Sequence, residues 1–237
     1  MKPKVNILWV PGTNCHEETA FAFELAGGDS HIVLLNRVIK GKEKLSDCDI
    51  FCLPGGFGFG DHIRSGVIKA IDLVYRFRDQ MLLLVEKKVP KIGICNGMQD
   101  LAASGLLNGK LGEPTILMDL NQSTRFEHWS NVKVVIHHNP GCPWTEGLDG
   151  LEMLLPVAHG EGRLVSLEKE PVWKIAATYG SYEGSAEYPI SPNGSKIAGI
   201  SFDEIFAMMP HPERRVLRRQ GGEEGLLIFK NGVNAVK

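Results

Sequence analysis

The residue of this sequence best suited to nucleophilic chemistry is Cys95, within the run Gly93-Ile94-Cys95-Asn96-Gly97. The run fits the pattern G-x-C-x-G between a predicted strand at residues 91–94 and a helix-like segment at residues 98–103. This pattern is typical of a nucleophile elbow with cysteine in place of serine. At a helix N-terminus the dipole favours the thiolate, and the N–H of Asn96 would face an oxyanion. The alternative is a buried cysteine between glycines in a Rossmann-like turn.

A cysteine nucleophile for acyl transfer needs a histidine that takes up its proton and later protonates the leaving group. Of the eight histidines, His211 is distinguished by its neighbours, Met209-Pro210-His211-Pro212-Glu213-Arg214. Pro212 favours an extended conformation at His211, and residues i and i+2 of an extended segment point to the same side. Glu213 could therefore hold the imidazole ring, as the acid of a catalytic triad does. The alternative is a rigid proline loop with an incidental histidine.

These residues must be positioned by strands and helices that alternate in the first half of the chain. The predicted strands span residues 5–10, 31–35, 50–53 and 91–94, and the predicted helices span residues 17–25 and 67–84. Such alternation favours a parallel sheet with helices on both faces. In the second half, strand-like runs occur at residues 132–136, 151–157, 173–179 and 196–201, before a closing helix at residues 221–229. We therefore predict an α/β fold with an open, mostly parallel sheet, added antiparallel strands in the C-terminal half, and a single domain over residues 1–237.

Composition and charge argue against several classes of function. The formal net charge is -2 at pH 7, which gives no electrostatic basis for binding nucleic acid or a membrane surface. No run approaches the ~20 apolar residues of a transmembrane helix. The N-terminal residues also lack the cleavage pattern of a signal peptide, so we expect a cytoplasmic protein. The five cysteines are odd in number and form no C-x-x-C pair, which predicts free thiols and no metal site.

Three features together resemble one enzyme family. They are the glycine-rich run Gly55-Gly56-Phe57-Gly58-Phe59-Gly60 after a strand, the C-x-G-x-Q run that begins at Cys95, and the late His211-Pro212-Glu213. The chain order nucleophile, histidine, glutamate is similar to that of the class I, triad-type glutamine amidotransferases. In the α/β-hydrolases, by contrast, the acid precedes the histidine.

Four longer stretches resemble one subfamily, the glutaminase subunit of phosphoribosylformylglycinamidine synthase from de novo purine synthesis. They are Pro54-Gly55-Gly56-Phe57-Gly58-Phe59-Gly60-Asp61, Gly93-Ile94-Cys95-Asn96-Gly97-Met98-Gln99, Ala158-His159-Gly160-Glu161-Gly162 and Met208-Met209-Pro210-His211-Pro212-Glu213-Arg214. The similarity runs from about Val5 to Phe229. Met98 stands where the family commonly has Phe, and residues 106–144 match least well.

The resemblance implies a role for each candidate catalytic residue. Cys95 would attack the side-chain amide of glutamine, and the backbone N–H groups of Asn96 and Gly56 would bind the oxyanion. His211 would protonate the departing ammonia and then activate the water that hydrolyses the thioester. Glu213 would orient the ring of His211.

The resemblance also implies ligands and partners. Gln99, one helical turn beyond Cys95, would recognise glutamine together with Gly160 and Glu161. The ammonia would pass to a separate formylglycinamidine ribonucleotide synthetase subunit, with or without a small third subunit. That partner would use ATP, magnesium and formylglycinamide ribonucleotide, so we expect no cofactor in this chain.

Other interpretations remain open. One is the glutaminase part of guanylate, anthranilate or carbamoyl phosphate synthesis, although the Gly-Phe-Gly-Asp loop and the run from Met209 to Arg214 argue against it. Another is a cysteine hydrolase of the DJ-1 and PfpI type, whose histidine lies close to the cysteine; here no histidine follows Cys95 before His128. A third is an inactive regulatory subunit, which the intact set of Cys95, His211 and Glu213 disfavours.

Overall fold

The computed structural model describes residues 1–180 and 191–237. Its centre is a nine-stranded sheet. In spatial order the strands are β2 (Asp29–Leu34), β1 (Lys4–Trp9), β3 (Ile50–Leu53), β4 (Lys91–Ile94), β11 (Ile205–Met208), β10 (Ile197–Phe202), β9 (Lys174–Tyr179), β6 (Glu127–Ile136) and β7 (Glu152–His159). Two further strands, β5 (Ile116–Asp119) and β8 (Arg163–Ser166), form a separate antiparallel pair.

The sheet divides into a parallel and an antiparallel half. The first five strands, β2, β1, β3, β4 and β11, are mutually parallel. From β11 through β10, β9 and β6 to β7, each neighbouring pair is antiparallel, so β9 and β7 again run with the first five. The predicted α/β fold with antiparallel strands added in the C-terminal half is confirmed. The sequence reasoning did not predict β5, β8 or β11.

Helices cover both faces of the sheet. They are α1 (His16–Ala26), α2 (Leu35–Ile39), α3 (Val67–Ile71), α4 (Arg78–Glu86), α5 (Asn96–Ala103) and α6 (Leu226–Asn234). The chain passes from β1 to β2 and then back across β1 to β3, β4 and β11. Because such parallel crossovers are right-handed, this reversal puts α1 on one face and α3 to α5 on the other. Consistent with this, α1 packs against α6, whereas α3 packs against α5.

Two predicted helices have different boundaries. The helix predicted at residues 67–84 is interrupted by a π-helical turn at Asp72–Arg76, where the N–H of Phe77 donates to the carbonyl of Asp72 at 2.9 Å. This turn inserts an extra residue and still leaves Phe77 buried. The closing helix begins at Leu226 rather than near residue 221. Gly225 there packs so closely that an added Cβ would lie 2.1 Å from the carbonyl oxygen of Pro212.

The candidate site residues follow the central strands at their carboxyl ends. In open α/β sheets, ligands bind in the crevice at this edge. The glycine-rich loop follows β3, Cys95 follows β4, and His211 comes three residues after the end of β11. All four residues of each of these strands are buried, so the sheet forms a rigid base for the loops. Within residues 1–180 and 191–237, no helix is long and apolar enough to cross a membrane.

Candidate functional site

Cys95 occupies a strained turn between β4 and α5. Its backbone has φ 52° and ψ -108°, a conformation that non-glycine residues rarely adopt and that is concentrated at functional sites. The turn requires glycine nearby, because a Cβ added at Gly97 would lie 1.8 Å from the carbonyl oxygen of Leu53. One added at Gly93 would lie 2.5 Å from the carbonyl oxygen of Gly97. The G-x-C-x-G run thus folds as a nucleophile elbow.

The neighbouring strand brings His211 to the same edge. β11 pairs with β4 in parallel, with Met208 opposite Ile94, and the N–H of Cys95 donates to the carbonyl of Met208 at 2.8 Å. The N–H of His211 donates to the carbonyl of Pro156 at 2.9 Å. The Sγ of Cys95 lies 3.4 Å from the carbonyl oxygen of Ala158, so β7 also passes beside the site.

His211 and Glu213 form a buried pair. Nδ1 of His211 lies 2.6 Å from Oε1 of Glu213, and both side chains are almost fully buried. The backbone between them differs from the prediction, because the chain enters a 3₁₀ turn at Pro212–Arg214 and is not extended through Glu213. The predicted contact between the two side chains is nevertheless present. With Nδ1 bound to the carboxylate, Nε2 is the nitrogen available for proton transfer.

The electrostatics of the site favour a protonated imidazole. Burial lowers the pKa of His211, but the negative charges of Glu213 and Cys95 and hydrogen bonds with Cys15 and Cys95 outweigh burial, so its pKa lies well above the usual value. The ring and Cys95 are close, since a Cβ added at Gly55 would lie 2.8 Å from Cε1 of His211 and 3.4 Å from Cβ of Cys95. The nucleophile and the base predicted from the sequence therefore lie side by side.

A second thiol, Cys15, lies beside the same ring and was not singled out from the sequence. Its Sγ accepts a hydrogen bond from Nη2 of Arg214 at 3.1 Å. Burial raises the pKa of Cys15, whereas a hydrogen bond with His211 and the positive charges of His211 and Arg214 oppose that rise. Polar atoms of Cys15, His211 and Glu213 all lie within 4.8 Å of one another. The guanidinium of Arg214 on the sulfur makes this cluster a poor cation site.

The backbone N–H groups of Asn96 and Gly56 were predicted to bind an oxyanion, and within residues 1–180 and 191–237 neither donates to another loop or turn. Asn96 is the first residue of α5, where N–H groups have no partner within the helix. Gly56 lies opposite Thr13 in an isolated β-bridge. The hydrogen bonds of this bridge are made by the residues on either side of Gly56 and not by Gly56 itself. Gly56 has φ 137°, and an added Cβ would lie 2.6 Å from the backbone nitrogen of Asn14. Only glycine therefore fits this close approach.

A cavity of about 290 Å³ opens beside Cys95. It is lined by the sequence-predicted residues Gly56, Cys95, Gln99, Gly160 and Glu161 and by Phe57, Asp61, Ser65, Leu120, Phe126, Ala158 and His159. Its size suits a single amino acid, and its wall combines backbone polar groups with apolar side chains. Five of the eight residues predicted to form the site therefore share one cavity.

Comparison with known proteins identifies the family. Residues 2–234 match the family model described as the CobB/CobQ-like glutamine amidotransferase domain. A relative from Dehalococcoides mccartyi, named phosphoribosylformylglycinamidine synthase subunit PurQ, is 38% identical over 98% of this chain and 97% of its own. A PurQ from Pyrococcus furiosus is 36% identical over 99% of each chain. The chain belongs to the PurQ family of glutamine amidotransferases.

Solved structures agree with this family. A chain of the structure of PurLQS from Thermotoga maritima covers 100% of both chains with a TM-score of 0.81 and 30% identity. A putative GMP synthase protein from Thermoplasma acidophilum has a TM-score of 0.63 at 18% identity, over 99% of this chain and 94% of its own. The second likeness shows a shared fold only. The resemblance to the PurQ-type amidotransferases inferred from the sequence is confirmed.

Within this amidotransferase, Gln99 is bound to the protein at both ends of its amide. Its Nε2 donates to the carbonyl of Glu161 at 2.7 Å, and its Oε1 accepts from Nδ2 of Asn96 at 3.0 Å. The carboxylate of Glu161 lies 3.5 Å from Nε of Arg64. The structure thus brings Gln99 and the turn at Gly160 and Glu161 together, and Gln99 fixes the course of that turn.

Sequence reasoning missed the residue that anchors this turn, Asn121. Its Nδ2 donates to the carbonyl of His159 at 2.6 Å, and its Oδ1 lies 3.0 Å from Nδ1 of His159. The same oxygen accepts from the N–H of Gly162 at 3.1 Å, and Asn193 donates to the carbonyl of Gly162 at 2.8 Å. Asn121 lies in the region 106–144, where the family resemblance was weakest, and no local pattern marks it.

Proposed function

We propose that this chain is the glutaminase subunit of phosphoribosylformylglycinamidine synthase, with residues 1–237 as one domain and Cys95, His211 and Glu213 as its catalytic triad. The observation that carries the assignment of the triad is the buried His211–Glu213 pair after β11, directly beside the elbow that ends β4. Similarity to PurQ proteins over nearly the whole chain supports the biological role.

The first half of the reaction forms a thioester. The Cys95 thiolate attacks the side-chain carbonyl carbon of glutamine, and the developing oxyanion accepts hydrogen bonds from the N–H groups of Asn96 and Gly56. Nε2 of the protonated His211 gives its proton to the amide nitrogen, so ammonia leaves when the carbon–nitrogen bond breaks. The Glu213 carboxylate stabilises the imidazolium before this transfer and keeps the ring oriented.

The second half of the reaction hydrolyses the thioester. The neutral His211 now removes a proton from water, and the hydroxide attacks the thioester carbon. The same N–H groups of Asn96 and Gly56 bind the second oxyanion. Collapse of this intermediate releases glutamate and restores the Cys95 thiolate beside the His211 imidazolium, so the chain ends the cycle unchanged.

Glutamine would bind in the cavity beside Cys95. Gln99 holds the carbonyl of Glu161 at 2.7 Å, and this contact keeps the turn at Gly160 and Glu161 facing the cavity. We assign to that turn the contacts with the α-amino and α-carboxylate groups of glutamine. The role of Gln99 is then to recognise the substrate mainly through the turn that it supports.

The ammonia would be used by a separate synthetase subunit, with ATP and magnesium acting there and not in this chain, in the cytoplasm. Support for a covering partner comes from the apolar rim of the cavity. Phe57, Leu120 and Phe126 line it and are 44%, 48% and 52% exposed, respectively. The rings of Phe57 and Phe126 lie 5.9 Å apart. Exposed apolar surface of this kind commonly marks an interaction site.

Reconstitution tests this function against the other pathways. The purified chain is mixed with the formylglycinamidine ribonucleotide synthetase subunit or with a GMP synthetase, each with ATP, magnesium, glutamine and its own nucleotide substrate. We expect glutamine-dependent amidation only with formylglycinamide ribonucleotide. Amidation of the guanylate precursor instead would assign the chain to that pathway. If no glutamate is released with either synthetase, the proposal is contradicted.

A further inference from the structure

The loop that carries the Gly56 oxyanion donor continues into a strained segment. Phe59, Asp61 and Ile63 have φ values of 56°, 51° and 72°, although none of them is glycine. Such conformations persist only where surrounding contacts hold them. The contacts that hold this loop therefore decide whether the amide of Gly56 keeps the position that the proposed oxyanion hole requires.

The side chain of Asn96 fastens this loop to the elbow. Its Oδ1 accepts from the N–H of Gly58 at 3.2 Å, and its Nδ2 donates to Oδ1 of Asp61 at 3.1 Å. The same Nδ2 donates to Gln99 at 3.0 Å. Asn96 thus has two separate roles, because its backbone N–H is the proposed oxyanion donor while its side chain holds the loop.

A buried ion pair fixes which way the Asn96 amide points. Nζ of Lys69 lies 3.1 Å from Oδ1 of Asn96 and 2.5 Å from Oδ2 of Asp100. The Lys69 and Asp100 side chains are only 1% and 0% exposed. An ammonium can only donate, so the oxygen of Asn96 must face Lys69 and Gly58. A flipped amide would put two nitrogens together and would turn the oxygen toward the carboxylate of Asp61.

The location of this pair is hard to explain by stability alone. Removing two charges from water is costly, and apolar side chains of similar size often serve a core as well or better. The pair also lies against the loop, since a Cβ added at Gly58 would lie 3.0 Å from Cε and 3.2 Å from Nζ of Lys69. The position of the Lys69–Asp100 pair is therefore better explained by a role in orienting the Asn96 amide than by a role in filling the core.

We propose that Lys69 and Asp100 are positioning residues for the oxyanion hole. Asp100 holds Lys69, Lys69 sets the orientation of the Asn96 amide, and Asn96 holds the strained loop so that the N–H of Gly56 remains beside Cys95. The inference rests on the proposed glutaminase function and adds to it two residues that never touch the substrate.

The test removes the pair without leaving a buried unpaired charge. The double variant Lys69→Met, Asp100→Leu is assembled with the synthetase partner and its nucleotide substrates, and kcat and KM for glutamine are measured beside thermal unfolding. Because one oxyanion donor is worth about 10²–10³ in kcat, we expect kcat to fall by about 10- to 100-fold when that donor is misplaced. The KM for glutamine should change by a smaller factor than kcat, because Gln99 keeps its hydrogen bond to the carbonyl of Glu161.

A second buried pair offers a matched control. Lys91 and Glu204 form an ion pair of 2.6 Å with exposures of 1% and 15%, at the opposite end of β4 from Cys95. The variant Lys91→Met, Glu204→Leu should keep kcat within about twofold of the parent chain, as expected for a substitution far from the reacting groups. An equal loss of kcat in both double variants would overturn the positioning role.

A further variant decides the question if the first double variant does not fold. Asn96→Ala keeps the backbone N–H and the Lys69–Asp100 pair but releases the loop. We expect kcat to fall by a larger factor than KM rises, because Gln99 loses its bond from Asn96 but keeps its bond to Glu161. If the triple variant with Lys69→Met, Asp100→Leu and Asn96→Ala folds, its loss of kcat should be smaller than the two separate losses combined. The reason is that the ion pair and Asn96 act through the same contacts with the loop. Provided that the parent complex is active, an unchanged kcat in the Asn96→Ala variant or in the folded double variant overturns the inference. An inactive parent complex would instead remove the proposed function.

Discussion

The N–H of Cys95 donates a 2.8 Å hydrogen bond to the carbonyl oxygen of Met208, three residues before His211. This bond extends the pairing of β4 and β11 by one residue beyond Ile94. It ties the two loops that carry the nucleophile and the base to a common, fully buried support. The relative position of Cys95 and His211 is therefore set by strand pairing and not by flexible loops.

Replacement of the two members of the buried pair should have unequal effects. His211→Ala removes the group that moves protons in both transition states, which is worth about 10²–10⁴ in kcat. Glu213→Gln keeps a hydrogen-bond acceptor for the ring and loses only the charge that stabilises the imidazolium, so its loss should be smaller. Steady-state glutaminase assays on both variants measure this difference. Equally small losses would show that the two roles are wrongly assigned.

We expect the isolated chain to hydrolyse glutamine slowly and its partner to activate it. The loop after Gly56 contains strained residues, including Ile63 at φ 72°, and a partner can shift such a loop between two pre-existing conformations. Loss of one oxyanion donor would hold kcat about 10²–10³ lower in the free chain. The measurement is glutaminase kcat with and without the synthetase and its nucleotide substrate. A rate that does not change on adding the competent partner would refute this gating.

The elbow should not tolerate a methyl group at Gly97. Its added Cβ would lie 1.8 Å from the carbonyl oxygen of Leu53, so Gly97→Ala should lower the free energy of unfolding by about 3 kcal/mol or more. Gly160→Ala is the control, because the nearest atom to its added Cβ is 3.8 Å away, on Phe126. The control should stay within about 0.5 kcal/mol of the parent. Urea denaturation compares them, and equal stabilities would contradict the packing described.

Buried His159 should make the fold sensitive to acid. Burial, with a smaller effect from the charge of His211, lowers the pKa of His159 from 6.5 to about 4. Between these values the unfolded chain binds a proton that the folded chain does not. The stability from this group is therefore complete above pH 6.5 and is lost as the pH falls through about 4. The shift corresponds to about 3 kcal/mol.

The variant His159→Gln tests this acid sensitivity. The glutamine cannot take up a proton, and its amide can still donate to Asn121. Unfolding free energies at pH 7, 5.5 and 4.5 should fall less steeply for the variant than for the parent chain. Parallel curves for the two proteins would show that His159 does not cause the loss.

The parts of this protein that could be predicted from sequence are those specified locally. The strand at Lys91–Ile94 was predicted with its observed bounds, because Pro90 precedes it and the glycine-flanked Cys95 follows it. The contact between His211 and Glu213 was also predicted, since only two residues separate them. Both predictions depend on short-range backbone geometry, although the chain between the pair proved to be a 3₁₀ turn and not a strand.

The parts that could not be predicted depend on distant residues. Asn121 holds His159 from 38 positions away, and Lys69 meets Asp100 from 31 positions away. The residues around a single asparagine or lysine form no local pattern that indicates a partner so distant in the chain. The π-helical turn at Asp72–Arg76 was missed for a similar reason, because its apolar spacing is close to that of a continuous helix. Cys15 was overlooked because its neighbours His211 and Arg214 are distant in the chain.

The nucleophilic role of Cys95 is the central claim, and one pair of assays tests it directly. The Cys95→Ala chain is assembled with the synthetase partner, formylglycinamide ribonucleotide, ATP and magnesium, and product formation is measured with glutamine and, separately, with ammonium. We expect no product from glutamine, and product from ammonium at the rate of the parent complex, because only the source of ammonia is lost. Glutamine-dependent product from the Cys95→Ala complex would show that Cys95 is not the nucleophile.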